Sequence, residues 1–209
     1  MSLNPGGVTG RQPEWFVSYA RGDDSPEGRA LDRVVDDICA AAERRGRHIL
    51  RDRNEMGLGD SISAFMDRIG EGDRVFVVLS AKYLRSPWCM YELSRLWQNC
   101  RGRRSEFLAK VRVFVLPDAR FDTVQRRVEW ARHWKHQYDE ISATLRTDHE
   151  LVGEEDFKAS QRIRNFYQNV SDILATIADI VQPRTPEQFA QYGFDDPGQN
   201  VRTEEAGIM

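Results

Sequence analysis

Residues 75–80 read Val-Phe-Val-Val-Leu-Ser, five consecutive apolar side chains, mostly β-branched or aromatic, closed by a hydroxyl. A run this continuous predicts a strand buried on both faces, the habit of parallel sheets. Working outward, Trp15-Phe16-Val17-Ser18-Tyr19 makes an earlier strand that stops at Arg21-Gly22-Asp23-Asp24, His48-Ile49-Leu50 a short one, and Val111–Leu116 a fourth, closed by Pro117. Between them lie helical patterns. Ser25-Pro26 is a start signal, an N-cap hydroxyl before proline at the first helical position. Apolar residues follow at 31, 34, 35, 38 and 42, and Gly46 ends the stretch. Ile62, Phe65, Met66 and Ile69 give a second helix, with Gly70 and Gly72 expected to break it. Ser86-Pro87 opens a third, running to about Cys100, and Arg101–Arg104 reads as a basic connector. Strands alternating with helices on short links predict an α/β domain, a central parallel sheet flanked by helices.

Beyond Pro117 the pattern is helical, over 124–145 and 157–181, with a polar link between. The second stretch carries an apolar stripe at 163, 166, 167, 170, 174, 177, 178 and 181. Residues 1–13 read as a flexible lead, 14–181 as the domain (core motifs 14–116, helical C-terminal part 117–181), and 182–209 as a tail. Thirty basic against 33 acidic residues leave a net charge of −3, which offers no global field for a nucleic-acid backbone. No apolar run approaches the roughly 20 residues of a membrane helix, and no signal peptide opens the chain. Cys39, Cys89 and Cys100 are too few for a zinc cluster or disulfide framework, so a reduced, cytoplasmic protein is expected.

On a helical wheel of roughly 100° per residue, Trp88, Leu96, Cys89, Cys100, Leu93 and Trp97 span about half the circumference, and Glu92 falls inside that arc. A carboxylate facing a low-dielectric interior is costly unless it is paired or opens into a cleft. Such misplacement can mark a catalytic group, although pairing with one of the many arginines would explain it equally. In an open parallel sheet, ligands bind beyond the carboxyl ends of the strands. The segments leaving those ends are Ser18-Tyr19-Ala20-Arg21, the 51–60 loop, and Ser80–Ser86 leading to Trp88 and Glu92. They offer aromatic faces, a cation, hydroxyls and one carboxylate, suited to a base and a ribose. The Gly-x-Gly-x-x-Gly cradle for a pyrophosphate is missing.

Taken in order, these motifs resemble a known family. Phe16-Val17-Ser18-Tyr19-Ala20 is similar to the opening motif of Toll/interleukin-receptor (TIR) domains. Arg51-Asp52-Arg53 with Gly57–Ile62 resembles their second motif. Val78-Leu79-Ser80 through Tyr83-Leu84, Ser86, Trp88-Cys89 and Glu92-Leu93 resembles the third strand and following helix. The resemblance implies a flavodoxin-like fold, here with a helical C-terminal extension. It also implies, for the prokaryotic enzymes of the family, cleavage of NAD+ to nicotinamide and ADP-ribose or a cyclic isomer, as an antiphage or cell-death effector activated by self-assembly. Those enzymes carry a Trp-x-x-x-Glu element, matched by Trp88–Glu92, whose glutamate is catalytic. By the same resemblance Ser18, Tyr19, Arg21, Arg53, Glu55 and Trp88 are expected to bind NAD+, which is substrate rather than cofactor. Homo-oligomers through TIR–TIR contacts, and a separate sensor or downstream protein, are the implied partners. Met56 stands where many TIR domains have proline, which weighs against the rival reading as a non-catalytic signalling scaffold. A third reading, an exchange enzyme acting on other nucleosides, would use a similar fold and glutamate.

Other candidates read blandly. His133 and His136 lack further ligands nearby, so no metal site is expected. Cys89 and Cys100 read as buried thiols, and Trp130, Trp134 and Tyr138 as core against the sheet. Asp23-Asp24 resembles the acidic pair of receiver domains, but Leu79-Ser80 stands where a phosphoacceptor aspartate belongs.

Overall fold

The computed structural model describes residues 13–23, 25–51 and 57–194. Strands β1 (Trp15–Tyr19), β2 (Ile49–Arg51), β3 (Arg74–Leu79) and β4 (Val111–Val115) form one parallel sheet in the order β2-β1-β3-β4. Pairing sets Phe16 beside Val75, Ser18 beside Val77, and Val77 beside Val113. Helix α1 (Pro26–Glu43) links β1 to β2, and α2 (Ile62–Glu71) precedes β3 on the other side of β1. The winding therefore reverses between β1 and β3, where such sheets open a crevice. Helices α3 (Ala81–Arg85), α4 (Pro87–Asn99) and α5 (Arg104–Lys110) lie between β3 and β4. After β4 come α6 (Val124–Thr147), α7 (Glu154–Ala178) and α8 (Pro186–Phe194).

All five residues of β1 and all six of β3 are buried, so the sheet is covered on both sides. Alternation along β1 sends Phe16 and Ala20 into one core, with side chains from α2 to α7, and Trp15, Val17 and Tyr19 into another, with α1 and α8. The chain must therefore pass from one face to the other between α7 and α8, around the sheet edge at β4.

Four sequence expectations change. The segment from 182, read as a tail, contains α8: Phe189 is fully buried between Phe76 (ring centroids 5.8 Å) and Phe114 (5.3 Å), and a Cβ at Gly193 would fall 2.2 Å from the Phe76 ring. The basic connector becomes α5 from Arg104 onward, anchored by buried Phe107. Gly70 lies inside α2 rather than ending it, and its bare backbone lets α4 approach: Asn99 Nδ2 donates to the Gly70 carbonyl at 2.8 Å. Of the aromatic stripe on α6, only Trp134 is fully buried. It meets Phe166 of α7 (5.1 Å) and donates its indole N–H to Leu84 O (3.1 Å), while Tyr138 meets Tyr167 (5.4 Å). The stripe thus packs largely on α7 rather than on the sheet.

Candidate functional site

Two serine caps place the site. Ser80 ends β3 and caps α3, accepting from Tyr83 N at 3.0 Å. Ser86 closes α3 and caps α4, accepting from Cys89 N at 3.3 Å, with Pro87 at the first helical position. The break between the two helices starts α4 anew, and its apolar side packs in the core with Phe16, Val75 and Val77. Trp88 stands at its exposed beginning, 43% accessible, and Glu92 one turn further in is 5% accessible. Residues four apart share a helix face, so the half-exposed indole and the buried carboxylate lie on one side of α4.

The Ser18 hydroxyl of β1 donates to Glu92 Oε2 and lies 2.8 Å from the Tyr83 hydroxyl. Serine has one hydroxyl proton. Since Ser18 gives it to Glu92, the contact with Tyr83 runs the other way, the phenol donating to Ser18 Oγ. The result is a directed chain, Tyr83 to Ser18 to Glu92, wholly inside the protein. Burial pushes the Tyr83 phenol well above its ordinary pKa, and the neighbouring Glu92 pushes it further. Tyr83 is therefore a fixed proton donor at neutral pH.

Ser18 was expected to touch substrate; the structure places its hydroxyl against Glu92. Tyr19, the next residue, points to the opposite face of the sheet. Its hydroxyl lies 3.4 Å from Arg51 Nη2, and its ring is 7% accessible in the core shared with α1 and α8. It does not join Trp88 and Glu92 around a common ligand, because a strand turns successive side chains apart. Arg51 also pairs with Asp36 at 2.7 Å. Burial alone would pull its guanidinium down, but the hydrogen bonds to Tyr19 and Asp36 outweigh that and hold it above its ordinary value. Arg21 is exposed beyond the end of β1. Arg53 and Glu55 lie outside the described residues. Sequence reasoning missed Tyr83 as a site residue. Its signal was present in the Ser80-x-x-Tyr83 spacing, but a five-residue helix shows no periodicity.

On the α1 side of the same rim opens a cleft of about 450 Å³, lined by Ser25, Leu31, Ser80, Lys82 and Pro117 among others. Glu92 does not line it. Its edge carries the Lys82–Asp23 pair (3.3 Å), and Asp23 is held at a pKa of about 2 by hydrogen bonds from Ser25 and by Lys82. Among the described residues no three His, Cys, Asp or Glu side chains converge to hold a metal ion, and no helix is long and apolar enough to cross a membrane.

A family model for the TIR domain matches residues 16–148. No curated protein matches the chain. Among solved structures, the TIR domains of the activated Roq1 resistosome directly recognizing the pathogen effector XopQ are similar at 19% identity with a TM-score of 0.53, over 86% of this chain and 96% of that one. At that identity the likeness concerns the fold.

Proposed function

Because the chain belongs to the TIR domain family, we propose that it cleaves NAD+ between nicotinamide and ribose, with Glu92 as the catalytic residue. The observation that carries this reading is the buried carboxylate of Glu92, held by the Ser18 hydroxyl one turn beyond the half-exposed indole of Trp88. Nicotinamide leaves a cationic ring as a neutral group, so its departure needs no general acid. The reaction needs negative charge, already in place, where the ribose becomes oxocarbenium-like. An ionised Glu92 supplies it. Water then adds to the anomeric carbon and gives up a proton, yielding ADP-ribose and nicotinamide; attack by an adenine nitrogen or a ribose hydroxyl gives a cyclic isomer.

Ser18 and Tyr83 are positioning residues in this scheme. Hydrogen bonds donated to a carboxylate favour its charged form and fix its orientation. Trp88 at the mouth of the site offers an aromatic wall to the base or ribose. Arg21, Arg53 and Glu55 remain assigned to substrate on the family motif alone. Self-assembly through TIR–TIR contacts belongs to the proposal, since the similar Roq1 TIR domains were seen in an activated resistosome. We assign the protein an immune or cell-death effector role in a reducing cytoplasm, to which its three free cysteines are suited.

The test is nicotinamide release from NAD+, measured at high protein concentration or on a crowding surface, for wild type beside Glu92→Gln. Release by the wild type that disappears in a folded variant supports the reading. No release from either assembled protein sinks it and leaves the scaffold reading.

A further inference from the structure

A separate cleft, of about 360 Å³, lies where the end of α3, the loop after β4 and the first turns of α6 meet; it is lined by Arg85, Arg120, Arg126, Glu129, Trp130 and His133. Three guanidiniums converge here in a chain whose net charge is −3, so the cluster does not follow from a generally basic surface. Arg126 pairs with Asp122, but among the described residues no ion pair joins Arg85 or Arg120 to a carboxylate. Even with Asp122 and Glu129 counted, the cleft keeps a net positive charge.

The backbone that carries Arg120 is held in place. Trp130 Nε1 donates to the carbonyl of Arg120 at 3.0 Å, and Arg127 Nη1 donates to the carbonyls of Phe121 (3.0 Å) and Asp122 (3.2 Å). The loop bearing Arg120 is therefore fastened to α6 at successive residues. The Arg85 guanidinium lies 5.3 Å from the centre of the Trp130 ring, and His133 meets that ring edge-on at 6.3 Å. Holding like charges close together is unfavourable unless an anion joins them. The charge of Arg85 is already felt locally: His133 is held below its ordinary pKa by burial first, then by Arg85 and His136.

From this arrangement we propose that the cleft binds the diphosphate group of a nucleotide. Planar guanidiniums engage phosphate oxygens in pairs, which single-point cations do not. Three of them spread along one cleft suit two linked phosphates better than one. The space is larger than a diphosphate fills, leaving room for an attached nucleoside beside Trp130. Glu92 does not line the cleft, so the inference stands apart from the proposed reaction. NAD+ and its product carry the same group, and any other nucleoside diphosphate would share the chemistry.

The experiment follows the Trp130 indole N–H by proton–nitrogen correlation spectra, assigned with Trp130→Phe, during titration at low salt. The additives are ADP, inorganic pyrophosphate, adenosine and an oligoglutamate peptide. ADP should saturate the wild type at sub-millimolar concentration, and adenosine should not shift the resonance. Pyrophosphate weaker than ADP identifies a nucleotide; pyrophosphate equal to ADP identifies the diphosphate alone, and both outcomes support the site. Arg120→Glu, at an exposed position without an ion pair, should weaken ADP tenfold or more while melting like wild type. Arg120→Lys should recover part of the loss, and Glu92→Gln should bind as wild type does. No saturable shift in the wild type, undiminished binding by Arg120→Glu, loss in Glu92→Gln with retention in Arg120→Glu, or saturation by oligoglutamate in place of ADP would each overturn the proposal.

Discussion

Ser18 and Tyr19 are neighbours on one strand and serve opposite halves of the molecule. Below Ser18 lies a buried carboxylate, reached through a chain of neutral hydroxyls from Tyr83. Below Tyr19 lies a buried guanidinium, Arg51, tied to the Tyr19 hydroxyl and to the carboxylate of Asp36. Both faces bury a charge, and they do so differently. An opposite charge beside Arg51 neutralises it and serves the fold. Hydroxyl donors hold and orient Glu92, Ser18 directly and Tyr83 through it, and in the proposed reaction the carboxylate meets the positive charge that develops on the ribose. The α1-side face is therefore expected to govern stability and the α4-side face chemistry.

The strongest way to break that contrast is at Phe189. It seals the α1-side core against Phe76 and Phe114, and truncation to alanine empties a fully buried site. Loss of about 3–5 kcal/mol is expected from denaturant unfolding. Nicotinamide release per folded molecule should hardly change. A large fall in specific activity at full folding would mean that the faces are coupled.

The mirror-image experiment is Glu92→Gln. Glutamine keeps the shape and can still accept from Ser18 but carries no charge. Turnover of NAD+ should fall by about 10²–10³, the usual effect of losing one preorganised electrostatic group. Thermal unfolding should stay within a few degrees of wild type. If unfolding shifted as far as for the Phe189 variant, Glu92 would be a structural ion like Arg51.

Arg51→Met probes the other buried charge. It removes the pair with Asp36, which is itself largely exposed, and leaves the Tyr19 hydroxyl without its donor. About 1–3 kcal/mol of stability should go, visible as a lower denaturant midpoint with unchanged slope. Activity of the folded fraction should persist, because the substitution touches the far face.

How much of this was legible in the sequence follows from the same strand. The apolar runs at 15–19, 75–79 and 111–116 predicted strands, the central one buried on both faces. The continuity of such runs also erased the alternation which would have told Ser18 from Tyr19. Both were consequently read as lining one rim, although a pleated strand must separate them. Glu92 stood out because α4 is long enough for a wheel to place a carboxylate in an apolar arc. Tyr83 sits on a five-residue helix with no measurable period, so only its cap spacing hinted at it. In α8, Pro186, Gly193 and two glutamines dilute the apolar signal, and the burial of Phe189 depends on a tertiary surface no local pattern reveals.

The smallest expected effect sharpens the contrast most. Tyr83→Phe keeps the ring in its fully buried slot and removes one hydroxyl, so Ser18 no longer receives a proton while giving one. About 1 kcal/mol of stability is at stake. With less support from the hydroxyl chain, the protonated form of the carboxylate is favoured, so the acid limb of the pH–activity profile should move to higher pH. A packing defect alone would lower activity evenly at all pH values. A second sign appears in alkali. The folded pKa of Tyr83 is raised, so its contribution to stability is fully present below the unfolded value near pH 10 and is lost as pH rises beyond it. The wild type should therefore lose up to about 1.4 kcal/mol per pH unit more than the phenylalanine variant above that pH. Parallel alkaline unfolding curves for the two proteins would mean that Tyr83 gives up its proton without cost, and the directed hydrogen-bond chain to Glu92 could not stand.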